Sequence, residues 1–127
     1  MALPISHYMV RTLFVLSSED SASSARALMA QHELHYLPVV DENQLVGVVS
    51  DSALAKLTGE HDRVADALTA DVTEVVPTIP LTEILALMQE HQLSSVVVTG
   101  ESGIEGVFTL TDAMRDFGEM LEQATER

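Results

Sequence analysis

Apolar and polar positions alternate along this chain in blocks whose period changes from element to element. Residues 13–16 form a short continuous apolar run suited to a buried strand. The polar Ser17-Ser18-Glu19-Asp20 ends it and puts Asp20 where a helix N-cap belongs. Ala22, Ala25, Leu28, Met29 and His32 then recur at helical spacing on one face. Residues 36–40 read as a strand, Asp41-Glu42-Asn43-Gln44 as a turn and residues 45–50 as the returning strand. Residues 52–57 read as a second helix that ends near Gly59.

The same order then recurs. Residues 64–68 predict a short helical lead-in that matches residues 5–9, and residues 72–76 predict a strand. Residues 77–80, bounded by two prolines, lead rigidly into a helix with Leu81, Ile84, Leu85 and Met88 as its apolar stripe. Residues 96–98 and 104–108 pair as strands across a turn at residues 100–103, and a last helix begins around Thr111. The two halves share residues as well as pattern. Ala27-Leu28-Met29, His32, Leu34, Val39, Glu42 and Gly47-Val48 return as Ala86-Leu87-Met88, His91, Leu93, Val98, Glu101 and Gly106-Val107, always 59 residues later. A unit of this size present twice is a duplicated supersecondary element, not a solenoid brick. Each half is β-α-β-β-α behind a helical lead-in, so the fold class is α/β (α+β). The repeat boundary falls at Glu60-His61-Asp62, giving repeat 1 as residues 1–60 and repeat 2 as residues 61–127.

Composition narrows the function. With 46% apolar residues among 127, the chain can bury a core, and no window reaches the roughly 18 consecutive apolar residues of a membrane span. The first nine residues lack the pattern of a secretory signal, and the absence of cysteine excludes disulfides and thiol chemistry; both fit a cytoplasmic protein. Twenty acidic residues against six basic ones give a formal net charge of −14. No basic stripe exists to neutralise phosphates, so nucleic acid is excluded as a partner. Five scattered histidines (His7, His32, His35, His61 and His91) suggest no metal site, and His32-Glu33-Leu34-His35 is one residue short of the zinc-binding His-Glu-x-x-His spacing. His32 and His91 read as core residues or as complements to a helix C-terminus. No nucleophile–base pair stands at a workable spacing, so an enzyme is not expected.

The order of elements, with Leu37-Pro38-Val39-Val40-Asp41 on the middle strand and Gly106-Val107-Phe108-Thr109-Leu110-Thr111-Asp112 at the last strand-to-helix junction, resembles a cystathionine-beta-synthase (CBS) domain. Two in tandem resemble a Bateman module, and the resemblance covers residues 5–121. It implies halves packed through their sheets with pseudo-twofold symmetry and clefts that take adenosine-containing ligands. It also implies a module that regulates a partner protein in trans. The residues of the motif suit that role: a glycine lets a ligand approach the backbone. A Thr or Ser three residues later sits at a helix N-terminus, and an Asp three further on can accept both hydroxyls of a ribose.

The copies differ at this motif. The second has Gly106, Thr109 and Asp112; the first has Gly47 and Ser50 but Ala53 in place of the acid, with Asp51 pointing about 200° away on a helix. The competent site is therefore expected at Thr109 and Asp112. The phosphate-side positions implied by the resemblance are Ser94 and Ser95, and Val72, Thr73 and Val96 are the candidates to lie against adenine. Ser50, His35 and Tyr36 make up a weaker first-repeat site. Without Lys or Arg nearby, AMP, adenosine or S-adenosylmethionine is favoured over ATP, and no cofactor is required. Thr109 and Asp112 could instead simply cap the last helix. A ligand-free structural or protein-interaction module is the competing function. The resemblance also implies a homodimer through the helices from Ser52 and Thr111, with Ala53, Leu54, Leu57, Ala113, Met114 and Phe117 as the apolar contacts.

Overall fold

The computed structural model describes residues 3–12, 14–70 and 72–114. A 3-10 turn at Ile5–His7 leads into strand β1 (Val10–Arg11). Helix α1 (Ala22–Gln31), strands β2 (Tyr36–Asp41) and β3 (Gln44–Ser50) and the short helix α2 (Asp51–Ala55) follow. A second 3-10 turn at Val64–Ala67 precedes β4 (Glu74–Val75), α3 (Leu81–His91), β5 (Ser95–Gly100) and β6 (Gly103–Thr109), after which residues 110–114 are helical. Strands β2 and β3 pair antiparallel, and the other sheet has the order β1-β6-β5-β4 with only β4–β5 parallel. The register of both hairpins shifts by a bulge, between Val39 and Val40 in one and between Val98 and Thr99 in the other. These are the same positions 59 residues apart.

The chain forms two compact units that do not divide where the sequence repeat does. One comprises residues Thr12–Val72; the other joins the segment ending at Arg11 to the chain from Thr73 onward. Each repeat body is thus completed by the lead-in of the other copy. In the first-repeat unit Leu16, Ala22, Ala25, Met29, Leu37, Val39, Val49 and Leu54 enclose Val64. In the second-repeat unit their counterparts Val75, Leu81, Ile84, Met88, Val96, Val98, Phe108 and Ala113 enclose Ile5. Ile5 and Val64 are both 0% exposed, and they are themselves 59 residues apart. The residues of β2 and β5 that enter these cores, Leu37 with Val39 and Val96 with Val98, are two apart, as the pleat of a strand requires.

The glycine of each repeat motif receives these lead-ins. A Cβ on Gly106 would stand 2.6 Å from the Val10 carbonyl oxygen and 2.7 Å from Met9 Sδ. A Cβ on Gly47 would stand 2.4 Å from the Thr69 carbonyl oxygen and 2.6 Å from Leu68 Cδ1. Val10 and Arg11 pair with Val107 and Gly106, while Val48 and Thr69 exchange backbone bonds of 3.0 and 2.9 Å. The close approach seen at these glycines is one of backbone to backbone.

Several local expectations are corrected. Ser21, not Asp20, caps α1, accepting from the Ser24 N–H at 3.1 Å, while Asp20 accepts from the Ser17 N–H at 2.9 Å. The apolar run at 13–16 yields only a bridge from Leu16 to Val39; Val15 is 50% exposed, and Leu13 lies outside the described residues. The strand expected over 72–76 is only Glu74–Val75. Of the two readings of His32 and His91, the structure takes the helix C-terminus: both are exposed there and outside the core. Leu54 and Ala113, expected on a dimer face, are buried core residues; Met114 is exposed, and Phe117 lies outside the described residues.

The turn between β2 and β3 has both central residues, Glu42 and Asn43, at positive φ (50° and 65°), which matches the twist of a tight hairpin. Asp41, at its start, accepts hydrogen bonds from the Ser17 hydroxyl, the Ser18 N–H and the Ser18 hydroxyl, tying the segment before α1 to the end of β2. The bonds from Ser18 hold its carboxyl below the ordinary carboxylate value against a smaller opposing effect of desolvation.

Two expectations follow. Ile5→Ala destabilises the second-repeat unit by about 2–5 kcal/mol, whereas Val10→Ala, at a position 46% exposed, changes stability by at most about 0.5 kcal/mol; urea denaturation of both variants tests this. The depressed Asp41 pKa stabilises the fold in full above the unfolded value of about 3.9 and progressively less as pH falls through the lower folded value. Asp41→Asn therefore lowers the melting temperature at pH 7, and the gap from wild type closes below about pH 4. A gap that persists unchanged at pH 3 contradicts the assignment.

Candidate functional site

Strand β6 ends at Thr109 and the chain turns at once into helix, so Thr109 stands where the first helical N–H groups need acceptors. Its hydroxyl accepts from the Asp112 N–H at 3.2 Å and donates to Asp112 Oδ2 at 2.9 Å. The same carboxylate oxygen accepts from the Thr109 N–H at 3.1 Å. This is a reciprocal capping box with an aspartate in its second position. Both residues are nearly enclosed, Thr109 at 2% and Asp112 at 7% exposure, and they are the buried polar residues among those described. Capping is thus an observed role of the pair.

The remaining sequence candidates in this unit divide into two groups. Ser95 lies opposite Thr109 in the β5–β6 ladder, and the Ser94 carbonyl accepts from the Leu110 N–H at 2.9 Å. Ser94 is exposed and Ser95 half-buried, so both adjoin the junction. Thr73, half-buried, accepts from the Val97 N–H at 2.9 Å at the start of β4. Val96 is 0% exposed within the helix-facing core. Its side chain packs in that core. Val72 belongs to the other compact unit.

Beside the junction lies a shallow, mainly apolar depression of about 410 Å³ bounded by Leu85, Met88, Leu93, Ser94 and Leu110. The sequence reading singled out neither Leu85 nor Leu110 for it. A signal existed in the repeat alignment: the counterpart of Leu85 is Arg26. In the first copy the Arg26 guanidinium donates to the Leu54 and Leu57 carbonyls at 3.0 and 3.3 Å, holding α1 to the end of α2.

The first-repeat junction keeps the backbone and changes the side chains. Tyr36 lies opposite Ser50, and the Asp51 N–H donates to the His35 carbonyl at 3.0 Å, the counterpart of Leu110 to Ser94. Ser50 caps α2 by accepting from the Ala53 N–H at 3.1 Å, but Ala53 cannot return a bond. Where the second copy has Leu110, the first has Asp51, whose Oδ2 lies 2.8 Å from His35 Nδ1. The side chains are 76% and 45% exposed, and this is the one ion pair among the described residues. The only potentially cationic group at the first junction therefore already faces a carboxylate. Among the described residues no three metal-ligating side chains cluster, and no helix is long and apolar enough to cross a membrane.

Comparison with known proteins agrees with this architecture. An inosine-5'-monophosphate dehydrogenase from Korarchaeum cryptofilum is 31% identical over 106 residues, 83% of this chain; the match spans only 22% of that enzyme. The chain thus corresponds to about a fifth of the length of such relatives. The solved CBS domain pair of protein MJ0100, in complex with 5'-methylthioadenosine and S-adenosyl-L-methionine, superposes with a TM-score of 0.77 at 23% identity, covering 94% of this chain and 99% of that one. CBSX2 in complex with AMP superposes with a TM-score of 0.67 at 24% identity, covering 93% and 98%. The family model of the CBS domain matches twice, at residues 5–60 and 64–119. The chain belongs to the CBS-domain family and carries two such domains in tandem.

Proposed function

We propose that this chain is a regulatory module that binds an adenosine-containing ligand through the second-repeat junction and signals occupancy to a partner protein in trans. The observation that carries this reading is the Thr109–Asp112 pair. It sits at the strand-to-helix junction of a CBS domain, with exposed Ser94 and half-buried Ser95 beside it. An aspartate there can take both hydroxyls of a ribose, a bidentate role that its neutral counterpart Ala53 cannot fill. The solved relatives that hold AMP, 5'-methylthioadenosine and S-adenosyl-L-methionine support an adenosine-type ligand by analogy of fold.

The charge of the site selects among such ligands. Among the described residues at the two junctions Ser94 and Ser95 are neutral and His35 faces Asp51, which disfavours a triphosphate on a chain of net −14. AMP, adenosine and S-adenosylmethionine are favoured over ATP. Thr73 remains a candidate contact. A homodimer formed through the helices from Ser52 and Thr111 belongs to this proposal, with exposed Met114 among its described apolar contacts.

One observation favours the alternative of a ligand-free interaction module. Thr109 and Asp112 already satisfy each other and have little exposed surface. Calorimetry separates the two. Asp112→Asn keeps a cap acceptor but loses the charge, and it should weaken AMP binding roughly tenfold or more, as expected for a charge-assisted bidentate contact. Asp51→Asn should change the affinity for AMP by less than about twofold, in line with an exposed pair. No heat and no shift in melting temperature with millimolar AMP, adenosine or S-adenosylmethionine would favour the interaction module.

A further inference from the structure

The lead-in at residues 3–11 does more than fill a core position. It crosses the second-repeat unit from the segment before α3 to the edge of β6. At one end the Leu81 N–H donates to the Leu3 carbonyl at 2.9 Å, and the Ile5 and Ser6 N–H groups donate to Ile79 and Pro77 at 2.8 and 3.2 Å. In the middle Ile5 and Met9 enter the core. At the other end Val10 and Arg11 pair with Val107 and Gly106, the strand that terminates two residues later in Thr109. The segment then continues directly into the first-repeat unit at Thr12.

We propose that residues 3–11 are a strap whose docking on β6 is energetically coupled to ligand occupancy at Thr109 and Asp112. The ligand half of this statement rests on the function proposed above. The coupling is carried by a shared strand. The notch at Gly106 has no slack, since even a methyl group there would stand 2.6 Å from the strap's backbone. The strap therefore seats only while β6 holds its position, and Thr109, about 10 Å further along the same strand, is fixed to Asp112 by three hydrogen bonds. A ligand that draws on this box acts on the strand that the strap requires. Held by two ladder pairs, two apolar anchors and three backbone hydrogen bonds at its other end, the strap is a short segment that can open locally before the unit unfolds. Its position upstream of the first repeat gives second-repeat occupancy a covalent route into the other unit. The first copy supplies an internal control. Residues 64–69 seat on β3 at Gly47 in the same way, but their strand ends in Ser50 with no acidic partner at Ala53.

Hydrogen exchange on the full chain, with and without millimolar AMP, tests the coupling alongside calorimetry of Ile5→Ala. AMP should slow exchange of residues 5–11 at least threefold together with residues 103–109, and leave residues 64–69 unchanged. Linkage requires that Ile5→Ala, by loosening the strap, weaken AMP binding by a similar factor. If Ile5→Ala does not fold, Ile5→Val carries the same comparison with a smaller effect. AMP that binds without changing exchange of residues 5–11, or that slows 64–69 equally, overturns the coupling and leaves the function standing. No AMP binding to the folded chain removes both.

Discussion

An apolar side chain from each lead-in, Ile5 in one case and Val64 in the other, must be buried in a core that its own repeat does not build. Everything else in the two units is arranged around that requirement. Full burial of one such side chain contributes about 1.5–3 kcal/mol, a large fraction of what a unit this small can muster. The residues that line the two receiving cores correspond one to one across 59 positions, and so do the bulges that shift the register of the two hairpins. The motif glycines follow from the same requirement. Gly47 and Gly106 leave space for the backbone of a lead-in, and a side chain at either would unseat it.

On this shared scaffold the two strand-to-helix junctions have different chemistry. The second is closed by a mutual Thr109–Asp112 box and bordered by neutral Ser94 and aliphatic Leu110; the first is half-capped by Ser50 and carries the exposed His35–Asp51 pair. Arg26 against Leu85 is a third divergence, exchanging a guanidinium bound to two carbonyls for an apolar wall beside the junction. The differences fall at the junctions and leave the cores equivalent.

The repeat and the type of most elements were legible in the amino-acid pattern, because period and turn chemistry are local properties. Exchange of the lead-ins was not. Nothing local distinguishes an Ile5 that packs on its own copy from one that packs more than 70 residues away, and both lead-ins carry the same motif. Asp20 and Ser21 are both good caps one residue apart, and hydrogen bonding of Asp20 to the Ser17 N–H decided between them. Which face of β5 the side chain of Val96 takes is not legible in the run Val96-Val97-Val98, where all three are apolar; the structure turns it to the helix-facing core. The Thr109–Asp112 signature was visible, yet the same two residue types serve a cap equally well, and the structure has them do so.

The most direct test of the account is an AMP titration of the assigned, isotopically labelled full chain followed by NMR. The account predicts saturable shifts of the Ser94, Ser95, Thr109 and Leu110 amides, with the Ser50 and Asp51 amides at the equivalent first-repeat junction unmoved. A spectrum of folded protein that does not change at millimolar AMP, or one in which Ser50 and Asp51 shift in preference to Thr109 and Leu110, would contradict it.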